Sequence, residues 1–411
     1  MINIQLLRDD PDRIKEGTVA KGYDPAVVDR VLEADKNYRE VLQKVESLRA
    51  ERNKFAKDKN IEEGKRVKGE LKGLEPELTK AEEEVNSLIS EIPNLPDGSA
   101  PRGKGEEENV EVLKWGDIPS FDFEPKDHLV LGEELGIIDF ESGAKVAGSQ
   151  FYYFLGDAVL LELALLQFGL DFLVSRGYKP VITPDLAKSR YYLGTGYQPK
   201  GDEAQIYEIN GEDLGLIATA EVTMAGLHAD EVLAKNNLPL KYAAISHCFR
   251  KEAGAYGKYS KGLYRVHQFT KLECFVYCTP DKSDEIHKEI LGIEEEITQA
   301  LGIPYRVLEM CTGDLGAIAS KKYDVEAWMP GRNDYGEITS TSNTTDYQAR
   351  NLNIKYNDGQ KNEYVHMLNG TALVTSRVPI AILENFQQKD GSVVIPEVLR
   401  KWMGKDKISA S

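Results

Sequence analysis

Between Val31 and Phe55 apolar side chains recur at alternating spacings of three and four: Val31, Ala34, Tyr38, Val41, Val45, Leu48 and Phe55, with Arg52 as the polar exception. A second run, Val67, Leu71, Leu74, Leu78, Ala81, Val85, Leu88 and Ile92, repeats the alternation with Glu, Lys and Arg between. A stripe this narrow cannot close a globular core alone and has to face a matching stripe. Two seams of similar length separated by about ten polar residues, Ala56 to Arg66, predict an antiparallel helical hairpin. Pro76 predicts a kink or restart in the second helix, since proline removes a hydrogen bond and clashes with the preceding turn, and Gly64, Gly69 and Gly73 predict fraying. Pro93 and Pro96 in IPNLP should stop that helix, leaving DGSAPRGKGEEEN as a linker.

The hairpin differs in charge from the rest of the chain. The 411 residues carry 51 Lys plus Arg against 68 Asp plus Glu, a net charge of −17, which argues against a protein that coats nucleic acid unspecifically. Yet Arg49 to Lys72 holds nine basic and five acidic residues, a local net of +4. On a coiled coil such charges can be an ordinary solvated face; the alternative is a basic tip that touches nucleic-acid phosphates. A membrane span is not expected: the most apolar stretch, Ala158 to Val174, is broken by Glu162, Gln167 and Asp171 and reads as a buried helix, with Asp157 as its N-cap. The start of the chain lacks an apolar secretory stretch and is too rich in Asp for a transit peptide. Four Cys (Cys248, Cys274, Cys278, Cys311) form no CxxC pair, so a cytosol-like compartment is expected.

From Val110 onward helices and strands mix. YKPVITPDL, YAAISHCFRKE, YRVHQFTKLECFVYC, YRVLEMCTG, YDVEAWMP and GEITSTSN read as strands, several consecutive with little helix between. That order predicts a mainly antiparallel sheet and an α+β class. No Gly-Lys pair is followed by Ser or Thr, no GxGxxG opens a helix after a strand, and HExxH is absent, so phosphate-loop, dinucleotide and zinc-protease chemistries are not expected, nor is structural zinc. The informative stretch is FRKEAGAYGKYSKGLYRVHQFTKLE, Phe249 to Glu273, where two strand-like arms flank the Gly- and Lys-rich loop Ala253 to Gly262. Strand parity puts Arg250 and Glu252 on one face, and Phe269, Lys271 and Glu273 on one face. Phe269 and Glu273 should lie about 13 Å apart, the separation of a stacked base from an amino acid joined to it through a phosphate. Alternating charges of this kind also occur on the wet face of an antiparallel sheet.

These residues resemble a family. FRKEAGAYGKYSKGLYRVHQF resembles motif 2 of the class II aminoacyl-tRNA synthetases, YKPVITPDL with Pro184 resembles motif 1, and LNGTALVTSRVPIAILENFQ with Arg377 resembles motif 3. LIATAEV, HQFTKLE, CTGDLG, EITSTSN and ENFQQKDGSVVIPEVLRKWM narrow the resemblance to the seryl-tRNA synthetases, over essentially the whole chain. It implies an N-terminal tRNA-binding domain over residues 1–100, with the hairpin as its arm, and a class II catalytic domain over residues 101–411. It also implies that L-serine and ATP form seryl-adenylate and that the seryl group passes to the 3′-terminal adenosine of tRNA(Ser), with tRNA(Sec) a possible second acceptor.

By the same resemblance Arg250 and Arg377 are catalytic, holding the α- and γ-phosphates. Lys251, Glu252, Phe269, Glu337, Ile338, Thr339 and Ser340 join them in binding ATP, with Phe269 stacked on adenine. Thr219, Glu221, Glu273 and Thr371 recognise serine. Glu337 and Ser340 are the implied Mg2+ ligands; their offset of three would put them on opposite faces of a regular strand, so a bulge or strand end is required. Lys54, Lys57, Lys59, Lys65 and Arg66 are the implied tRNA contacts, and a cytoplasmic homodimer is implied as well. Some segments depart from the family pattern: GTGYQPKGDEAQIY, the threonines Thr339 and Thr341, and a somewhat short arm. Two other readings compete. One is a relative that loads a small amino acid onto a carrier protein, which would need no tRNA arm. The other is a non-catalytic RNA-binding scaffold, against which intact Arg250, Glu273, Glu337 and Arg377 speak.

Overall fold

The computed structural model describes residues 1–196, 206–252 and 262–410, which form two compact units, Met1–Pro96 and Asp97–Ser411. Residues 197–205, within GTGYQPKGDEAQIY, and most of the Ala253 to Gly262 loop lie outside the described residues.

The first unit is helical: α1 (Ile4–Asp9), α2 (Pro11–Ala20), α3 (Ala26–Lys57) and α4 (Ile61–Ile89). The expected seams are in place. Val41, Val45, Val67 and Leu71 form the buried centre of the hairpin, with Leu48, Phe55, Leu74 and Leu78 packed against it. Three expectations need correction. The turn is only Asp58 to Asn60, because the polar residues on either side extend the helices instead of leaving them; Asn60 caps α4 by accepting from the Glu63 amide. Pro76 does not restart α4, nor do Gly64, Gly69 and Gly73 interrupt it. Pro76 and Lys72, whose carbonyl loses its partner, both face solvent, so water satisfies the freed group while Leu71, Leu74 and Leu78 hold the helix to its neighbour. Arg52 leaves the seam and is exposed, and Ile92 is buried beyond the end of α4. At the other end Arg8 of α1 clasps Asp35 of α3 through two bonds of 2.6 and 2.9 Å, and Arg39 adds a third at 3.0 Å.

The second unit is built on an eight-stranded sheet: β1 (Val110–Trp115), β2 (Lys179–Ile182), β3 (Leu240–Phe249), β4 (Gln268–Cys278), β5 (Tyr305–Glu309), β6 (Lys321–Met329), β7 (Asp334–Asn343) and β8 (His366–Val374). Their spatial order is β1-β5-β6-β7-β8-β4-β3-β2, antiparallel throughout except for the β2–β3 pair. The α+β expectation therefore holds. Helices α5 (His128–Glu134), α6 (Phe140–Ala147), α7 (Asp157–Ser175), α8 (Ser189–Thr195), α9 (Ala220–Gly226), α10 (Ser283–Ala300), α11 (Tyr347–Leu352) and α12 (Arg377–Asn385) complete the elements that matter for the site.

Three further expectations change here. Asp97 to Asn109 is no free linker: the Asp97 amide donates to the Ser320 carbonyl at 2.8 Å, Ala100 packs with Leu308 and Met310, and a Cβ on Gly103 would lie 2.7 Å from Cys311 Sγ. The helix at Asp157 is capped by Gly156, and Asp157 is its first residue, bonded to Lys405 at 2.7 Å. Nor is α7 buried all round. Ala158, Leu161, Ala164, Leu165, Phe168 and Leu173 enter the core, whereas Leu163 remains 58% exposed and Leu160 41%. It is the one described helix apolar and long enough to cross a bilayer, and its inner face is taken up by the sheet.

Candidate active site

A set of buried polar side chains lines one cavity of about 360 Å³ on the face of β4, β6, β7 and β8. Its walls follow from strand register. Residues two apart on β4 share a face, so Phe269, Lys271 and Glu273 all reach the cavity. A register shift on β8 then sets Thr371 directly opposite Glu273.

At one end, Thr219 caps α9: its hydroxyl accepts from the Glu221 amide at 3.3 Å. The same hydroxyl donates to Glu273 Oε2 at 2.6 Å and accepts from Lys271 Nζ at 2.7 Å, while Lys271 also pairs with Glu273 at 2.9 Å. Glu221 is buried and accepts from Gln348 Nε2 at 2.6 Å, whose amide also reaches the Thr195 carbonyl. This end is therefore a small, sheltered, polar box.

At the other end stand two arginines. Arg250 follows β3 and its guanidinium lies 5.3 Å from the Phe269 ring centroid. Its backbone is fixed on both sides by His267: the Arg250 amide donates to the His267 carbonyl at 3.0 Å, and the Arg250 carbonyl meets His267 Nδ1 at 2.8 Å. Glu252 pairs with Arg265 at 2.9 Å. Arg377 opens α12, pairs with Glu337 Oε2 at 3.0 Å, donates to the Glu337 carbonyl at 3.1 Å, and lies 4.6 Å from the Tyr264 ring centroid. Burial works against charge on Glu337, but Arg377 and then Lys322 outweigh it and hold its carboxyl below the usual carboxylate range.

The bulge required between Glu337 and Ser340 is present. Val325 pairs with Thr339 and Glu326 with Glu337, so Ile338 is the extra residue, and both Glu337 and Ser340 line the cavity. Beneath it Thr339 turns into the core and donates to Glu294 Oε2 of α10 at 3.0 Å. Burial pushes the Glu294 carboxyl up well above its ordinary range. Gly370 makes room for it, since a Cβ there would lie 2.6 Å from Glu294 Oε1.

The predicted residues Thr219, Glu221, Arg250, Glu252, Phe269, Glu273, Glu337, Ile338, Thr339, Ser340, Thr371 and Arg377 all line this cavity. Lys251 does not: it is exposed, with its ammonium 5.8 Å from the Tyr207 ring centroid. In the first unit Lys54, Lys57, Lys59, Lys65 and Arg66 are exposed, and Arg66 is already paired with Glu63 at 2.8 Å and Glu70 at 2.5 Å.

Several contributors had no sequence signal. Gln348 holds Glu221 from 127 residues away. His128 is buried on α5; its Nε2 accepts from the Leu263 amide at 3.2 Å, so Nδ1 carries the proton that it shares with Glu384 of α12 at 2.9 Å. Glu384 also accepts from the Gly331 amide at 2.9 Å. The clasp ties the segment leading into Tyr264 to the helix that begins with Arg377.

Chemically, one end offers a carboxylate and hydroxyls to an ammonium or hydroxyl, the other offers two guanidiniums to phosphates, and an aromatic ring lies near. Glu337 and Ser340 supply hard oxygen donors on one wall, which suits Mg2+ shared with substrate phosphates better than an all-protein cage; no group of three or more His, Cys, Asp or Glu converges among the described residues.

Comparison with known proteins agrees with this arrangement. Residues 1–96 match the family model of the seryl-tRNA synthetase N-terminal domain, and residues 205–386 match that of the tRNA synthetase class II core domain (G, H, P, S and T). The chain is 51% identical to a serine–tRNA ligase of Rubrobacter xylanophilus, over 99% of each chain, and 50% identical to one of Dictyoglomus turgidum, again over 99% of each. Among solved structures it resembles seryl-tRNA synthetase from Pyrococcus horikoshii complexed with ATP, with a TM-score of 0.93, 40% identity and full coverage of both chains. It also resembles the cytoplasmic serine–tRNA ligase of Naegleria fowleri in complex with AMP, with a TM-score of 0.90 and 36% identity over 100% of this chain and 99% of that one.

Proposed function

The chain belongs to the seryl-tRNA synthetases, and from that premise we propose how its own residues divide the reaction. The enzyme activates L-serine with ATP and transfers the seryl group to tRNA. Activation is an in-line displacement at the α-phosphorus, in which positioning and charge stabilisation do most of the catalysis. Arg250 holds the α-phosphate and stabilises the charge that builds there, its planar guanidinium donating parallel hydrogen bonds while Phe269 takes the adenine ring. Arg377 holds the γ-phosphate. Glu273, Thr219, Glu221 and Thr371 bind serine; a buried acceptor left unpaired by alanine is what rejects the substrate lacking the hydroxyl. Glu337 and Ser340 would hold Mg2+, which when bound neutralises phosphate charge.

One observation carries this reading: the serine set and the phosphate set, drawn from positions 219 to 377, line a single cavity. Serine-dependent ATP–pyrophosphate exchange tests it. Exchange with serine and none with alanine is the expected result; no serine-dependent exchange would overturn it.

The arm formed by α3 and α4 binds tRNA(Ser) through the exposed lysines near its tip. The partner for the apolar outer face of α7, Leu160 and Leu163 with Val159 and Val174, and for Ile182 on the adjoining β2, is a second copy of the chain. Light scattering at micromolar concentration should give about 92 kDa, twice the 45.9 kDa chain, and an active 46 kDa species would refute the dimer. The compartment is the cytosol, where the four free buried cysteines stay reduced.

A further inference from the structure

Lys271 lines the active-site cavity, yet the assignment of residues to serine and ATP leaves it without a task. Its position on β4 is informative. It lies one two-residue step from Phe269 and one from Glu273, about 6.6 Å each way along the strand. If the ring of Phe269 takes adenine and Glu273 takes the serine ammonium, Lys271 lies midway, under the carboxylate and α-phosphate that become joined.

Its own partners are sheltered. The Lys271 ammonium is 2.9 Å from Glu273 Oε2 and 2.7 Å from Thr219 Oγ1, and the side chains of Lys271 and Glu273 are only 9% and 2% exposed. Two charges this sheltered cannot be left single without a large cost, so in the free site each serves as the other's counter-ion. A zwitterion changes that balance at no net cost in charge. It offers an ammonium to Glu273 and a carboxylate to Lys271, which gives an alternating row of carboxylate, ammonium, carboxylate and ammonium. A ligand with only one of the two charges breaks the resident pair and leaves one member exposed to its own desolvation penalty.

We propose that serine enters by inserting into the Lys271–Glu273 ion pair, and that the released Lys271 ammonium holds the substrate carboxylate and follows it into the mixed anhydride. This rests on the reading of the cavity as the site of seryl-adenylate formation. In that step a serine carboxylate oxygen forms a bond to the α-phosphorus as the bond from that phosphorus to the bridging oxygen of pyrophosphate breaks. The electron pair leaves with pyrophosphate, and no proton is transferred. Lys271 keeps its three protons and donates hydrogen bonds to the oxygens on which charge is redistributed. It is therefore a catalytic residue as well as a determinant of specificity for α-amino acids over amines.

The test compares serine with serinamide, which keeps the ammonium and hydroxyl but lacks the carboxylate charge, by calorimetric titration of the full-length enzyme. Wild type should bind serine at least about tenfold more tightly than serinamide. Lys271→Met should bring that ratio close to one and lower the exchange kcat by about tenfold or more, and Lys271→Arg should restore most of the ratio. The ratio is internal to each variant, so it does not depend on the fraction of protein folded, and Lys271→Gln serves in its place if the Met variant is insoluble. If Lys271 merely neutralises Glu273, Lys271→Met will weaken both ligands alike and keep the wild-type ratio of serine to serinamide affinity; that result overturns the proposal. Loss of serine-dependent exchange in wild type would instead overturn the reading on which the proposal rests.

Discussion

The hairpin and the catalytic cavity use charge in opposite ways. In the hairpin, Lys54, Lys57, Lys59 and Lys65 stand in water on a scaffold held by one apolar seam in which none of these lysines takes part. In the cavity Lys271, Glu273, Thr219 and Glu221 are withdrawn from water and satisfied by one another or by Gln348, so each depends on the rest. Exposed charges act additively and are screened by salt; sheltered ones act as a unit and are insensitive to it. The contrast implies that substitutions in the second unit should be severe and specific, and those at the tip graded and salt-dependent.

The largest expected effect follows from Glu273→Gln, which keeps the shape but removes the charge that faces Lys271 and, in the role proposed for it, the substrate ammonium. Loss of one partner of a desolvated pair should cost about 2–5 kcal/mol in affinity for a non-hydrolysable seryl-adenylate analogue, measured by calorimetry. Unchanged affinity would mean that Glu221 holds the amine. Next comes Arg250→Ala. In the role proposed for it, its charge is used mainly in the transition state, so kcat for pyrophosphate exchange should fall about 10²–10³-fold with a smaller change in the serine KM. Near wild-type exchange would contradict the role given to Arg250.

A third difference concerns acid stability. All six histidines lie in the second unit, as do all three tryptophans. His287 of α10 is buried, and burial pushes its imidazole down to about 4. The unfolded chain takes up this proton near pH 6.5 while the folded unit resists until about pH 4, so the contribution of His287 to stability should be full above pH 6.5 and fall as the pH drops through that window. The loss amounts to about 2 kcal/mol by pH 5 and about 3 kcal/mol by pH 4. Tryptophan fluorescence in urea, which reports on the second unit alone, should show it, and His287→Gln should flatten the pH dependence.

The smallest effects belong to the tip. Changing Lys54, Lys57, Lys59 or Lys65 to Ala should weaken tRNA binding modestly and lower the salt slope by about one for each phosphate no longer neutralised. Arg66→Ala should change it less than any of them, because Glu63 and Glu70 already neutralise that guanidinium. An Arg66 effect larger than those of the lysines would show that the ion pairs open on binding.

The same contrast explains what could be read in the sequence. The seams are local periodicity, so the hairpin was legible almost residue by residue, apart from the tight turn, where polar residues suit a helix surface as well as a loop. In the sheet, period two gave the shared face of Phe269, Lys271 and Glu273, and the offset of Glu337 and Ser340 required the bulge at Ile338. The resemblance, not the periodicity, suggested roles. What stayed hidden were partners brought together only by the fold: Gln348 on Glu221, Glu294 under Thr339, Thr371 opposite Glu273, and the His128–Glu384 clasp, each joining residues 45 to 256 positions apart. Asp97 to Asn109 has the composition of a linker and packs nonetheless, because Gly103 fits against Cys311 and Ala100 joins Leu308 and Met310.

The central claim is that the two units separate adenylate formation from tRNA binding. The most direct measurement replaces residues Ala34 to Leu88 by a short Gly/Ser linker and records serine-dependent ATP–pyrophosphate exchange and tRNA(Ser) charging on the same preparation. Exchange should stay near wild type while charging collapses. Normal charging would contradict the role of the arm, and loss of exchange together with charging would contradict the independence of the catalytic unit.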